Sequence, residues 1–299
     1  MVNQLTQPNF FIIGAPKCGT TSLSSWLSAH PSIFMCSPKE PYFFSQDIHS
    51  IRAVQSMADY EALFEGAKDT DVAIGEASTT YLRSQVAVPA ILKCFPDARF
   101  IVCLRNPIEM VASVHMQLYQ GATEPERSLQ KAWALQRPRQ QGEQLPTFCI
   151  DPNNLQYGEA CSLGKQVERL LKQVSREQVL FIFLEDFRKN TREEYLKVLS
   201  FIGVPDDGRT DFPVENQRSE PRLLVLRRFA VKLNHAKHRL GIHRTLGIGA
   251  LFRKVNQKKI VSQPLPNERF ICELREYFTH DIQKLSDLVD RNLSGWLRQ

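Results

Sequence analysis

A short apolar strand that runs straight into a glycine-bounded loop constrains the fold of this chain more than any other feature. Residues 10–13 (FFII) lead into residues 14–21 (GAPKCGTT), and Leu23 and Leu27 then recur at helical spacing. A strand, a loop and a helix start in this order bring backbone N–H groups and the positive end of a helix to one point. The sequence therefore predicts an anion site in the first loop of an α/β fold.

The loop differs from that of ordinary P-loop enzymes. Those enzymes end the loop with Gly-Lys-Ser/Thr, so that the lysine reaches the β- and γ-phosphates and the hydroxyl holds magnesium. Here Gly19 is followed by Thr20, and the lysine of the loop is Lys17. A threonine-capped helix after a plain βα turn is the alternative interpretation. The coincidence of a strand, two glycines, a lysine and paired threonines favours the anion site.

A second predicted strand ends in arginine and opens a helix. Arg105 follows the apolar residues 100–104, and the next pair, Asn106 and a proline, suits an N-cap and a first helical position. Glu109 occupies the position of a capping-box carboxylate. Ser113 lies nearly two turns beyond the cap, so it can bind one phosphate together with Arg105. The alternative is a structural arginine that anchors a carbonyl or an acidic neighbour.

Short apolar runs alternate with helical patterns along the 299 residues, of which 42% are hydrophobic. This alternation predicts βαβ units around a buried parallel sheet, and the chain is long enough to form its core without disulfides or metals. We predict a single α/β domain over residues 1–299, with a P-loop-like three-layer fold, a central, mainly parallel sheet and a basic helical C-terminal third. The predicted strands are residues 10–13, 72–74, 100–104 and 179–184; helices follow Thr20, Pro107, Cys161 and Thr191, one spans 268–288, and another with loose ends lies within 121–144.

Cysteine usage and the chain start favour a cytoplasmic protein. The seven cysteines are scattered and include no C-x-x-C pair, which argues against a disulfide framework or a zinc ribbon. The first nine residues lack the basic and apolar regions of a secretion signal, and we expect no transmembrane segment. No metal is expected, because His235, His238 and His243 lie among lysines and arginines without a nearby carboxylate or cysteine.

The net charge of +6 is concentrated in one segment. Residues 221–267 contain 11 lysines and arginines and no acidic residue, which leaves 27 basic and 32 acidic residues elsewhere. Arg228, Lys232 and Arg239 fall on one stripe of an amphipathic helix predicted over residues 223–240. A packed helix with a solvated charged face is one interpretation. Contact with a membrane surface or an acidic polymer is the other, and nucleic acid is not expected as a partner.

Together these motifs resemble the sulfotransferase superfamily that uses 3′-phosphoadenosine 5′-phosphosulfate (PAPS), in its heparan-sulfate-type branch and most like bacterial soluble members. The resemblance implies that the first loop binds the 5′-phosphosulfate, that Arg105 and Ser113 bind the 3′-phosphate, and that Lys17 stabilises the leaving phosphate. Residues 37–44 (SPKEPYFF) resemble the segment that carries the general base, which implies Glu40 in that role. The implied cofactor-binding residues are Lys17, Cys18, Gly19, Thr20, Thr21, Ser22, Arg105, Ser113 and, as a weaker candidate, Arg218.

Two positions depart from the pattern of this branch. Ala77 follows Glu76 where Golgi members carry a lysine, and Met110 stands where many relatives have an arginine. Glu40 precedes a proline, which favours an extended backbone at the predicted base. Histidine is the base in the cytosolic aryl-type branch, which makes His115 the alternative, although a packed or surface histidine describes it better.

The sequence thus predicts sulfuryl transfer from PAPS to a hydroxyl or amine of a small-molecule, lipid or carbohydrate acceptor that it does not identify. One alternative is a P-loop kinase or NTPase, which requires magnesium and a γ-phosphate. That class more often places an aspartate at the end of the strand where this chain has Arg105. The other alternative is a non-catalytic anion- or membrane-binding protein with the same fold.

The basic stripe generates a prediction of its own. Neutralising Arg228, Lys232 and Arg239 together should weaken binding to anionic liposomes or to the acceptor, because the stripe then loses its attraction to negative charge. The affinity for PAPS should stay unchanged. Liposome co-sedimentation and acceptor kinetics measure the effect, and the hypothesis fails if both are the same as in the wild type.

Overall fold

The computed structural model is built on a five-stranded parallel sheet. Its strands are β1 (Phe10–Gly14), β2 (Ile33–Met35), β3 (Ala73–Ala77), β4 (Arg99–Leu104) and β5 (Val179–Phe183). They lie in the order β2-β3-β1-β4-β5, and every neighbouring pair runs parallel. All five residues of β1 are buried, as its apolar run predicts. This arrangement confirms the predicted α/β fold with a mainly parallel sheet.

The structure describes residues 7–48, 54–121, 123–147, 149, 151–214, 219–221, 257–259 and 267–298. The chain divides into two compact units, the first of residues 1–111, 158–215 and 273–299, the second of residues 112–157 and 216–272. The sheet belongs to the first unit. The organisation of residues 1–299 as one domain stays a prediction.

Helices occupy most of the connections between strands. In chain order they are α1 (Thr20–Ser28), α2 (Met57–Ala62), α3 (Ala87–Cys94), α4 (Pro107–Gln120), α5 (Leu129–Ala134), α6 (Gln136–Gln140), α7 (Tyr157–Cys161), α8 (Leu163–Leu171), α9 (Leu184–Lys189), α10 (Thr191–Ile202) and α11 (Glu268–Leu288). Short 3-10 helices cover Pro152–Leu155, Arg176–Gln178 and Ser294–Leu297. In the second unit, β6 (Ser219–Pro221) pairs antiparallel with β7 (Gln257–Lys259). No helix in the described ranges combines the length and apolarity that crossing a bilayer requires.

The predicted strands β1, β3, β4 and β5 are present, as are the helices predicted after Thr20, Pro107, Cys161 and Thr191 and over residues 268–288. Helices α2, α3, α7 and α9 and strands β6 and β7 were not predicted, and Leu184, predicted as the end of a strand, begins α9.

The strand β2 was not predicted, because it has three residues and only Ile33 is fully buried. The polar segment 121–144 contains two short helices instead of one. Pro138 has no N–H to donate to the carbonyl of Ala134, so the ladder of α5 cannot continue into α6.

The basic C-terminal region falls largely outside the described residues. This applies to the whole of the predicted basic helix over residues 223–240, with Arg228, Lys232 and Arg239, and to the cofactor candidate Arg218. The three histidines that the sequence places among basic residues also lie there. The statements about these residues therefore stay predictions.

A carboxylate on α11 caps α8 from outside that helix. Asp281 is buried, and its two oxygens accept hydrogen bonds from the backbone N–H groups of Gly164 at 2.8 Å and Lys165 at 2.9 Å. First-turn amides have no acceptor within their own helix, and the side chain of the N-cap residue Ser162 does not supply one. Asp281 therefore joins α11 to the start of α8.

Replacing Asp281 with alanine should lower the free energy of unfolding by about 2–3 kcal/mol, because two buried amides lose a charged acceptor. Asp287→Ala is the matched control, since Asp287 lies exposed on the same helix and should change stability by about 0.5 kcal/mol or less. Urea unfolding measures both. Equal losses in the two variants would contradict the capping role.

Candidate active site

The residues that the sequence singles out in the first unit follow the ends of strands in the same parallel sheet. Lys17 follows β1, Glu40 follows β2 and Arg105 follows β4. The carboxyl ends of parallel strands meet at one edge of the sheet, where open α/β folds bind their ligands. Hydrogen bonds fix two of these segments to adjacent strands: the N–H of Glu40 donates to the carbonyl of Ala77 at 3.0 Å, and the N–H of Ala15 donates to that of Cys103 at 2.8 Å.

The two glycines of the first loop are required by its geometry. A Cβ at Gly14 would lie 2.9 Å from the Cβ of Leu82 and 3.1 Å from the carbonyl oxygen of Thr79. Gly19 is the N-cap of α1 with a φ of 89°, a left-handed conformation that glycine adopts at little cost. No side chain caps this helix, so the threonine-capped alternative is wrong. First-turn amides without an internal acceptor are what an anion site at a helix start uses.

The other residues of the loop differ in accessibility. Lys17 is exposed and has a φ of 65°, in the left-handed region that non-glycine residues rarely occupy. Thr20 and Ser22 are buried, whereas Thr21 is half-buried. Burial raises the pKa of the Cys18 thiol to about 12, with nearby Arg105 and Lys17 lowering it less. Cys18 therefore fills space as a neutral thiol.

Arg105 is buried and connects the second site to the first loop. Its Nε and Nη2 donate to Oε2 of Glu109 at 3.1 and 2.6 Å, and its Nη1 donates to the carbonyl of Lys17 at 3.3 Å. Glu109 thus binds Arg105, and its predicted part in a capping box is wrong. Arg105 therefore binds a carbonyl and an acidic neighbour, as the structural alternative for this residue predicts. Its contact with a phosphate stays a prediction.

Asn106 forms hydrogen bonds in two directions. Its Oδ1 accepts from the N–H of Ile108 at 3.0 Å, which confirms the predicted N-cap of α4. Its Nδ2 donates to the carbonyl of Trp296 at 3.0 Å, and the indole Nε1 of Trp296 donates to Glu185 at 3.0 Å. The last described turn of the chain is therefore tied to the point where β4 ends.

Ser113 and His115 lie on the part of α4 that belongs to the second unit. Ser113 is half-buried. His115 is buried, and its Nε2 donates to the carbonyl of Glu126 at 2.9 Å. Burial lowers the pKa of this imidazole, and its ring lies 5.9 Å from that of Tyr157, measured between centroids. These contacts are those of a packed histidine, which is the interpretation that the sequence favours over a catalytic base.

Glu40 is surrounded by groups that bind its carboxylate. Nζ of Lys39 lies 2.9 Å from Oε1, the hydroxyl of Thr79 donates to the same oxygen at 3.3 Å, and the hydroxyl of Tyr42 donates to Oε2. The side chain keeps 30% of its surface exposed, so an incoming group can reach it. It is more firmly held than a solvated loop carboxylate paired with a lysine alone.

The backbone of the Glu40 segment is left-handed at two non-glycine residues. Glu40 has a φ of 62° and Tyr42 a φ of 56°, so the extended conformation expected for Glu40 is wrong. Such conformations cost about 1–3 kcal/mol each, persist where the surroundings impose them, and concentrate at functional sites. The imposing contacts are the N–H of Glu40 on β3 and the N–H of Tyr42, which donates to the hydroxyl of Ser78 at 3.1 Å.

Aromatic packing anchors the next two residues of this segment. Phe44 packs edge-on against Phe11 of β1 and Tyr60 of α2, with ring centroids 6.4 and 5.0 Å apart, and Phe43 stacks on Tyr60 at 4.8 Å. The N–H of Phe44 donates to the hydroxyl of Tyr81 at 3.2 Å. The buried rings therefore hold the chain immediately after Glu40 against the sheet.

A buried carboxyl that the sequence did not assign to the site lies beside this segment. Glu76 of β3 is fully buried, and its Oε2 accepts from the hydroxyls of Tyr60 at 2.9 Å and Tyr81 at 3.1 Å. Burial raises its pKa from 4.5 to about 7, the hydroxyl partners lower it, and the charge of Glu40 raises it further. The sequence signal for this buried carboxyl is that Glu76 is the single charged residue in the strand AIGEA, whose other residues are apolar or glycine. Within the described ranges, no three His, Cys, Asp or Glu side chains are placed to hold a metal ion.

Comparisons with known proteins identify the family of this chain and support its fold. The family model described as a sulfotransferase domain matches residues 7–227, which is most of the chain. The chain belongs to the sulfotransferase domain family. A crystal structure of a sulfotransferase from Alicyclobacillus acidocaldarius is 26% identical, with a TM-score of 0.73 over 98% of this chain and 99% of that one.

Two curated relatives match parts of this chain. Human carbohydrate sulfotransferase 15 is 26% identical over 246 residues, which cover 66% of this chain and 44% of that protein. The membrane-associated sulfotransferase kil1 of Dictyostelium discoideum is 30% identical over 105 residues, which cover 35% and 22%. The chain thus spans less than half the length of these curated relatives.

Glu76→Gln should change how stability depends on pH. Between pH 4.5 and about 7 the folded state keeps the Glu76 proton while the unfolded chain loses it, so the wild type loses stability as the pH rises through this window. Glutamine has no proton to lose. The free energy of unfolding of the variant relative to the wild type should therefore rise by about 3 kcal/mol across the window.

Urea unfolding at several pH values measures this difference. Glu65→Gln is the matched control, because Glu65 is exposed and its replacement should leave the pH dependence of stability nearly unchanged. A Glu76→Gln difference that is flat between pH 4.5 and 8 would show that this carboxyl ionises in the folded state as it does in the unfolded chain.

Proposed function

We propose that this sulfotransferase moves a sulfuryl group from PAPS to a hydroxyl or amine, with Lys17 stabilising the leaving phosphate and Glu40 as the general base. One observation carries the proposal: a helix start without a side-chain cap, with Lys17 beside it, follows β1, and the supported carboxylate of Glu40 follows β2. These two strands flank β3, so both groups lie at the same edge of the sheet. Membership of the sulfotransferase domain family supports the class of reaction, and the donor and the residue roles are part of the proposal.

The donor groups of the first unit suit a nucleotide that is phosphorylated at both ends. The amides at the start of α1 and the ammonium of Lys17 favour a 5′-phosphosulfate, since a helix N-terminus and a cation both attract anions. The guanidinium of Arg105, bonded to the carbonyl of Lys17, suits the 3′-phosphate because its planar fork matches phosphate oxygens. When bound, PAPS supplies the activated sulfuryl group.

Lys17 and the loop amides act on the charge that forms on the leaving phosphate. The exposed ammonium of Lys17 can neutralise negative charge there without a metal ion. The N–H groups of residues 19–21 are held in place by the fold before the reaction, and such preorganised donors contribute about 10²–10³ each in rate. The fixed glycine positions of the loop therefore serve this function.

Glu40 takes the proton from the acceptor hydroxyl or amine. Its half-buried carboxylate is held by Tyr42, Thr79 and Lys39, which limits its motion while its remaining exposed surface can face the acceptor. A positioned base of this kind contributes about 10²–10⁴ in rate. The proton then resides on a Glu40 oxygen until solvent removes it.

The remaining assignments are expectations. Ser113 lies in the second unit and Arg218 outside the described residues, so their contacts with the 3′-phosphate stay predictions, as do the supporting contacts of Cys18, Thr20 and Ser22. A carbohydrate hydroxyl is the first acceptor class to test, because a relative is named as a carbohydrate sulfotransferase. Lipid and small-molecule hydroxyls remain alternatives, and a cytoplasmic location stays a prediction.

Two assays on the same preparation test the proposal. Adenosine 3′,5′-bisphosphate, the product of transfer, should raise the melting temperature more than ATP with magnesium does. Transfer of labelled sulfate from PAPS to a panel of carbohydrate, lipid and phenol acceptors should fall about 100-fold or more in Glu40→Gln. The control Glu65→Gln, an exposed carboxylate outside the site, should keep wild-type transfer.

The outcomes separate the three candidate functions. Stronger stabilisation by ATP with magnesium would indicate a kinase or NTPase. Binding of the bisphosphate without transfer to any acceptor would indicate a non-catalytic protein. Full transfer in Glu40→Gln would overturn the role of Glu40 while leaving PAPS as the donor.

A further inference from the structure

Glu76 is the centre of a hydrogen-bond network that ends on the backbone of the Glu40 segment. Its Oε2 binds the hydroxyl of Tyr81, and that hydroxyl accepts the N–H of Phe44 at 3.2 Å. The hydroxyl of Ser78, two residues after Glu76, accepts the N–H of Tyr42 at 3.1 Å. One chain of hydrogen bonds thus connects the Glu76 carboxyl to the backbone at Phe44.

The surroundings of Glu76 favour its protonated form. Its partners in these bonds are hydroxyl groups, which are neutral, and its Oε1 has no hydrogen-bond partner within the described ranges. A buried carboxylate without a cationic partner is costly, so such a group keeps its proton. The nearest ammonium in the segment, that of Lys39, bonds to Glu40 instead.

The charged and titratable groups that face Glu76 come from several elements. They are Cys36 after β2, Glu40 and Tyr42 in the base segment, Tyr60 of α2 and Tyr81 after β3. On the β1 side the residue in register with Glu76 is the apolar Phe11. Burial raises the pKa values of the Cys36 thiol and of the three phenols, with the Glu76 charge adding to each, so these groups are neutral at pH 7. Glu40 is therefore the charged group to which Glu76 is coupled.

This coupling matters for a site that must accept an anion. Two ionised carboxylates near each other raise each other's proton affinity, and a second negative charge would also repel an anionic donor. A protonated Glu76 keeps the hydrogen bonds from the tyrosines and adds no negative charge beside Glu40. The Glu40 segment is then held in place without added negative charge.

We propose that Glu76 is a positioning residue, whose protonated carboxyl holds the backbone at Phe44 through Tyr81 and lies near enough to Glu40, bonded to the next residue of β3, for a charge on one to act on the other. The benefit to catalysis rests on the proposed function of Glu40 as the base. The coupling itself is a property of the two side chains and can be tested without any acceptor.

Infrared difference spectroscopy during a pH titration tests the coupling on the full chain. The wild type should show the carbonyl band of a protonated carboxyl that disappears with a midpoint near pH 7, and Glu76→Gln should lack this band. In Glu40→Gln the midpoint should fall by about half a pH unit or more, because the neighbouring negative charge is gone. In Tyr81→Phe the midpoint should rise, because the ionised form loses a hydroxyl donor.

If Glu76→Gln does not fold, the Tyr81→Phe variant still tests the proposal. It retains the Glu76 carboxyl, so a shift of the midpoint identifies the band as that of Glu76. The proposal is overturned if no band near pH 7 depends on residue 76, or if the midpoint is unchanged in Glu40→Gln. Stabilisation by adenosine 3′,5′-bisphosphate, measured on the same proteins, reports the proposed function separately. A wild type that binds no bisphosphate but shows the coupled titration would refute PAPS use and leave the coupling intact.

Discussion

The parallel pairing of β1 with β3 on one side and β4 on the other is the constraint on which the site depends. It brings the loop after β1, the residues after β3 and Arg105 to one edge of the sheet. The loop then needs glycine at position 14, since the chain after β3 leaves no room for a side chain there. Local sequence and tertiary packing thus require the same residue at the point where an anion would bind.

The sequence predicted the parts of the fold that carry strong periodic or turn signals. The strand and loop that begin at Phe10, the N-cap Asn106 and the helix over residues 268–288 are all present. The strand β2 was missed because three residues give too short a pattern. The left-handed backbone of Glu40 was missed because the contacts that impose it come from β3, which is distant in sequence.

The positions of the candidate residues could be predicted better than their interactions. Lys17 and Arg105 were singled out because each follows a predicted strand, and Glu40 because residues 37–44 resemble a family motif; their roles stay predictions. The sequence allowed Glu109 either to form an ion pair with Arg105 or to close a capping box with Asn106. The side-chain geometry shows the ion pair. Glu76 was overlooked as a participant because its partners Tyr60 and Tyr81 are arranged around it by the fold and not by spacing.

The double use of Asn106 limits which residues can replace it. Asparagine and aspartate cap helices about equally well, so at an ordinary helix start the two interchange freely. Aspartate, however, has no amide hydrogens, and the carbonyl of Trp296 would then face a second acceptor. In homologues that carry aspartate at this position, the turn containing the tryptophan must be attached to the sheet in some other way, and comparing such sequences at both positions together would reveal the compensation.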